Sequence, residues 1–172
     1  MEKAVKRRFW FGCIKKQCFS DRGINMKISS LIEKGLLIKS KSSEQEVSGS
    51  LAIAEKFIEK AKGNQKIEFF DVAFSLAYQS MFHSARTLLF KNNLKERSHS
   101  AMISAVKEIY KEKVKLKELL QTMDSYRITR HAIQYIGAGC TKEDSLEAIK
   151  DAEKLFEEIE SFSAGINKNK KT

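Results

Sequence analysis

The stretch Phe69–Phe90, FFDVAFSLAYQSMFHSARTLLF, restricts the fold more than any other part of the chain. It contains no glycine or proline and only two formally charged residues, Asp71 and Arg86. Apolar side chains occupy most of a helical wheel, which marks a helix covered on several sides. Its polar residues are ordered too: Asp71, Ser75, Gln79 and His83 recur every four positions, with Arg86 beside them. Residues four apart share a helical face, so the pattern predicts a greasy rod carrying one narrow polar stripe. Such a rod needs other helices around it.

The flanking sequence supplies them. Ser29–Lys34 reads as a short helix stopped by Gly35. Ser43 and Glu46 form a capping box, each satisfying a free amide of a first helical turn. The helix they open runs to about Lys62, with Val47, Leu51, Ala54, Ile58 and Ala61 on one face, and Gly63-Asn64 is expected to end it in a turn. After the rod, which ends near Asn92-Asn93, Ser98 caps a helix carrying Met102, Ala105, Val106 and Ile109. Another runs from about Lys113 to Ile136, where Gly137 and Gly139 break it. Thr141 with Asp144 caps the last, whose Ile149, Ala152, Phe156 and Ile159 make one stripe. Proline is absent and glycine scarce, as suits a mostly helical chain, and 172 residues suit one domain. The expected fold is all-α: an up-down antiparallel four- or five-helix bundle with a short N-terminal helix and a basic N-terminal extension.

The placement of charge narrows the function. Net charge is +10, but residues 1–25 contribute +5 and Lys168, Lys170 and Lys171 another +3, leaving +2 for residues 26–167. A broad basic nucleic-acid-binding face is therefore not expected, and any phosphate site has to be local. Residues 1–25 mix basic clusters with Phe9, Trp10, Phe11, Ile14 and Phe19, too short and interrupted an apolar run for a signal peptide or membrane span. Segments of this kind can lie on membranes or bind nucleic acid, but without helical periodicity this one reads as a flexible or loosely docked extension. Met26 would serve as a start of its own. The expected division is an extension at 1–25, the bundle at 26–165 and a basic tail at 166–172. Cys13, Cys18 and Cys140 are an odd number without a small-scaffold pattern, which suggests reduced thiols in a cytoplasmic protein. No His, Asp and Glu cluster has metal-ligand spacing, so no metal and no cofactor is expected, nor integral membrane association.

In the helix from Lys113 the pattern changes. Leu116, Leu120 and Met123 set a core stripe, and the same register continues through Arg127, Arg130 and Gln134, with His131 one turn from Arg127. Two arginines three apart repel each other, and burying them unpaired is expensive. Acidic groups of a neighbouring helix, a dimer partner or a bound anion such as phosphate would each compensate them. Asp71 is one candidate for a purely structural seam. Tyr126 and Tyr135 flank the cluster, and a tyrosine ring can stack on a base. His83 reads as hydrogen-bonded within the rod's stripe, and His99 as an ordinary helix-terminus residue.

The run AYQSMFHSARTLLF, then SHSAMISAVKEIY, YRITRHAIQYIG and EDSLEAIKDAEKLFEEIESF, resembles the HEPN (higher eukaryotes and prokaryotes nucleotide-binding) family. The opening MKISSLIEKGLLIKS is similar to the leader of many small stand-alone prokaryotic members, so the resemblance spans about Met26 to Phe162. It implies an up-down bundle, usually a homodimer. Members commonly accompany minimal nucleotidyltransferases in toxin–antitoxin-like gene pairs, and others are metal-independent ribonucleases. The ribonucleases carry Arg, four to six residues, then His. Here three residues separate Arg127 from His131, and Arg130 directly precedes it, whereas Arg130 followed by four residues and then Tyr135 resembles a non-nucleolytic Arg-to-Tyr version. The resemblance therefore implies a non-catalytic module that binds a nucleotide or RNA phosphate through Arg127, Arg130 and His131, with Tyr126, Tyr135 and His99 nearby, as partner of a nucleotidyltransferase. A ribonuclease, in which His131 is the general acid/base and Arg127 or Arg130 stabilises the transition state, is the alternative. A structural dimerisation protein is the second.

Overall fold

The computed structural model describes residues 27–168. The chain runs through α1 (Ile28–Glu33), β1 (Leu37–Lys39), α2 (Glu44–Lys66), α3 (Phe70–Lys91), β2 (Leu94–Glu96), α4 (His99–Ile109) and α5 (Val114–His131). A π-helical turn (Ala132–Ile136) and α6 (Lys142–Lys168) follow. The all-α class holds, and α3 is the expected rod: it packs against α2, α4, α5, α6 and β2. Phe74, Ala77, Tyr78, Met81, Leu88 and Leu89 are at most 2 % exposed. The stripe is there as well, with Asp71 exposed and Ser75, Gln79, His83 and Arg86 half-buried.

The helix starts follow their sequence signals. Ser43 N–H donates to Glu46 Oε2 at 2.9 Å and Glu46 N–H to Ser43 Oγ at 3.1 Å. Thr141 and Asp144 repeat the exchange at 3.0 and 3.1 Å. Ser98 does stand at the N-cap of α4, but its hydroxyl accepts no helix amide and bonds Ser100 Oγ instead.

The helix ends depart further. α2 passes through Gly63-Asn64, because Ala61 is still packed in the core and Asn64 Nδ2 donates back to Lys60 O at 2.9 Å, bridging the turn a glycine would otherwise loosen. The reversal falls at Glu68, whose φ is +64°, and Phe69 N–H closes it onto Asn64 O. The α-helical part of α5 stops at His131, and the π turn carries the chain to Gly137, which takes a left-handed conformation (φ 72°). Here Cys140 Sγ donates to Phe70 O at 3.4 Å, fastening the α5–α6 link to the start of α3. Burial pushes this thiol up to about 12, with Asp144 and Asp71 adding to the shift.

A two-stranded antiparallel ribbon is an element the helical reading lacked. It pairs Leu37 with Glu96 and Lys39 with Leu94, and buries Leu37 and Leu94. Three-residue strands are too short to show alternation. Cys13, Cys18, Trp10 and their neighbours lie outside the described residues. Among the described residues no helix is long and apolar enough to cross a membrane.

If α3 is the central support, Leu88→Ala should cost about 2–5 kcal/mol in denaturant unfolding, since it leaves a cavity in a sealed core. Leu146→Ala on the outer face of α6, where the side chain is 36 % exposed, should cost under about 1 kcal/mol. Equal losses would contradict this description.

Candidate anion site at the α3–α4–α5 junction

The site starts from the polar groups that α3 buries. Tyr78 lies wholly in the core, so its hydroxyl needs a partner, and it finds His99 Nδ1 at 2.6 Å across the start of α4. The His99 ring also stacks on Phe82, one turn along α3, with centroids 4.1 Å apart. His83 is held between Phe57 of α2 and Phe82, and its Nδ1 is sealed without a partner among the described residues. Its carbonyl accepts from Ser50 and Thr87 hydroxyls, each at 3.0 Å.

Three arginines close this cluster, in different states of compensation. Arg86 lies against the rings of Phe82 and Phe90, with Nε 2.7 Å from the buried carboxylate of Glu96 in β2. Arg127 is half-buried, and its Nε donates at 2.9 Å to Asp124 on its own helix. Asp71 is not its partner. Arg130 is half-buried with its guanidinium 5.0 Å from the centre of the Tyr78 ring. Its Nε is sealed without a hydrogen bond, and it makes no ion pair among the described residues.

Beyond Met123 the buried line of α5 turns to Tyr126 and Thr129, so Arg127 and Arg130 flank the core instead of continuing it. Of the residues singled out from sequence, the structure brings together Arg127, Arg130 and His99. Tyr126, one turn before Arg130, is buried edge-on to Phe74, with its hydroxyl donating to Asp151 Oδ2 at 2.8 Å. Burial and that carboxylate push its ionisation far up, and no face is left for a base to stack on. His131 and Tyr135 are exposed and pack on each other, centroids 4.7 Å apart. Tyr78 and Phe82 went unnoticed in the sequence. A hydroxyl inside an apolar rod was the available signal for Tyr78.

The field at the junction is positive. Burial lowers the proton affinity of His99, and Arg130, Arg127, Arg86 and His83 lower it further. Burial, then Arg86, does the same to His83. Burial raises Tyr78 to about 12, against the pull of Arg130 and Arg127. Half-buried cations, an imidazole and one uncompensated guanidinium can hold an anion by charge-assisted hydrogen bonds. Among the described residues no group of three or more His, Cys, Asp and Glu could hold a metal ion.

Fold and site together define an all-helical bundle with a local cationic junction beside its buried central helix. A family model for the HEPN domain matches residues 47–162, and the chain belongs to that family. The match begins inside α2, so α1 and β1 lie outside it. Among curated proteins, none matches the chain.

The two lowered histidines carry a stability consequence. Their folded proton affinity lies below the ordinary value of 6.5, so the unfolded chain binds protons first, and stability present above that pH is lost as pH falls through the folded values. The melting temperature should fall between about pH 7 and pH 5, and less steeply in His83→Gln/His99→Gln. An identical slope in that variant would show the histidines are not responsible.

Proposed function

We propose that this HEPN protein binds the phosphate of a nucleotide or RNA at the Arg127–Arg130 flank of α5, without cleaving it. In this reading it works as a homodimer beside a minimal nucleotidyltransferase, in a toxin–antitoxin-like pair. Family membership supports a nucleotide- or RNA-related helical module. The observation that carries the finer reading is Arg130, a half-buried guanidinium over Tyr78 with no carboxylate of its own among the described residues. An arginine so placed is compensated by a ligand or a second chain more cheaply than by water alone. His131, the candidate general acid/base of a ribonuclease, is exposed and turned to Tyr135. That favours binding over cleavage.

Adding ATP, a dinucleotide or sulfate at a hundred times its Kd should stabilise the protein by about 2.7 kcal/mol, a rise in Tm of roughly 5–10 °C. Arg127→Gln/Arg130→Gln should abolish that rise and leave the ligand-free Tm nearly unchanged. A loss of roughly 3 kcal/mol or more in the ligand-free variant would mean a structural seam. RNA cleavage in EDTA that disappears in His131→Ala would make the protein a ribonuclease.

A further inference from the structure

We propose that Tyr78 makes His99 a fixed Nε2–H donor for a phosphate oxygen, so that His99 is the third ligand-facing group of the site and Tyr78 its positioning residue. The inference rests on the anion-binding reading of Arg127 and Arg130. A neutral imidazole carries one N–H, and which nitrogen holds it is set by the bond at the other. Tyr78 is 0 % exposed and His99 Nδ1, at 2.6 Å, is the hydrogen-bond partner of its hydroxyl among the described residues. If His99 donated instead, the phenolic hydrogen would be stranded in the core without an acceptor, at the cost of an unmade buried bond. The hydroxyl therefore donates and Nδ1 accepts, which leaves the proton on Nε2.

Among the described residues Nε2 makes no hydrogen bond and, unlike His83 Nδ1, it is not sealed from solvent. Phe82 and Tyr78, stacked on the ring at 4.1 and 5.8 Å, hold its direction. The charges acting on it come from Arg130 and Arg127 of α5 and Arg86 and His83 of α3, all of them cationic or titrating to cations. A free N–H donor in that surrounding is suited to an oxyanion. A phosphate can come from a nucleotide's terminal group or from a nucleic-acid backbone, and both offer the same oxygens.

The test is imidazole 15N spectroscopy on the full chain at pH 7.5, first without ligand and then titrated with inorganic phosphate, ATP and a dinucleotide. Wild type should show His99 protonated at Nε2, and Tyr78→Phe, which removes only a hydroxyl, should show a mixture of tautomers. The His99 Nε2 signal should move as ligand binds, and His99→Ala should weaken binding roughly tenfold, the loss of one hydrogen bond to a charged group. A response to phosphate and ATP alone assigns a terminal phosphate, and one that includes the dinucleotide assigns the diester. His99 protonated at Nδ1 in the wild type, or an Nε2 signal unmoved while ligand binds, overturns the proposal and leaves the arginine site standing. No binding by the wild type removes the anion site and the donor's role with it, even with the tautomer as expected.

Discussion

The pairing of polar side chains that α3 carries into the core is the interaction on which the placing of its neighbours depends. α3 is surrounded by four helices and a strand, and several polar groups it takes inward meet a neighbouring element, while Ser80 Oγ, Ser84 Oγ and His83 Nδ1 are sealed without a hydrogen bond among the described residues. Tyr78 draws in His99 and so locates the start of α4. Arg86 draws in Glu96 and so locates β2, whose pairing with β1 ties the first short helix to the bundle. Ser50 and Thr87 converge on the carbonyl of His83 and join α2 to α3. The rod thus specifies its surroundings by polar contacts, while its apolar surface supplies the drive to bury it.

Much of this was legible in the sequence, for physical reasons that can be named. Residues 69–90 could hardly be anything but a buried helix, and the pairs Ser43/Glu46 and Thr141/Asp144 are local exchanges whose geometry is encoded within four residues. The end of α2 was not legible, because Gly63 yields to burial of Ala61 and to an Asn64 side chain, a balance decided by packing. The ribbon was not legible either, since its register joins residues nearly sixty apart. At the site, the change of α5 from apolar to cationic was visible. The turn of its buried line toward Tyr126 was not, because it depends on how α5 lies across its neighbours. Tyr126 is therefore a core residue, whereas His99, which the family resemblance puts beside the arginines, is a member of the cluster.

The three arginines show how one residue type takes on different work through its neighbours. Arg86 is enclosed by two rings and a carboxylate and holds the architecture. Arg127 leans on a carboxylate of its own helix, an arrangement that is half-exposed and weak enough to exchange for a better anion. Arg130 has an aromatic face and, among the described residues, no acid, and the proposed anion would compensate its charge. A body charge of only +2 is consistent with that, because a single well-placed cation needs no broad basic surface.

A crystal structure of the full chain grown with ATP or a dinucleotide tests that claim most directly. The account predicts a phosphate oxygen within about 3.2 Å of the Arg130 guanidinium, on the side away from the Tyr78 ring. A carboxylate of a second copy in that place, with the phosphate bound elsewhere or absent, would contradict it.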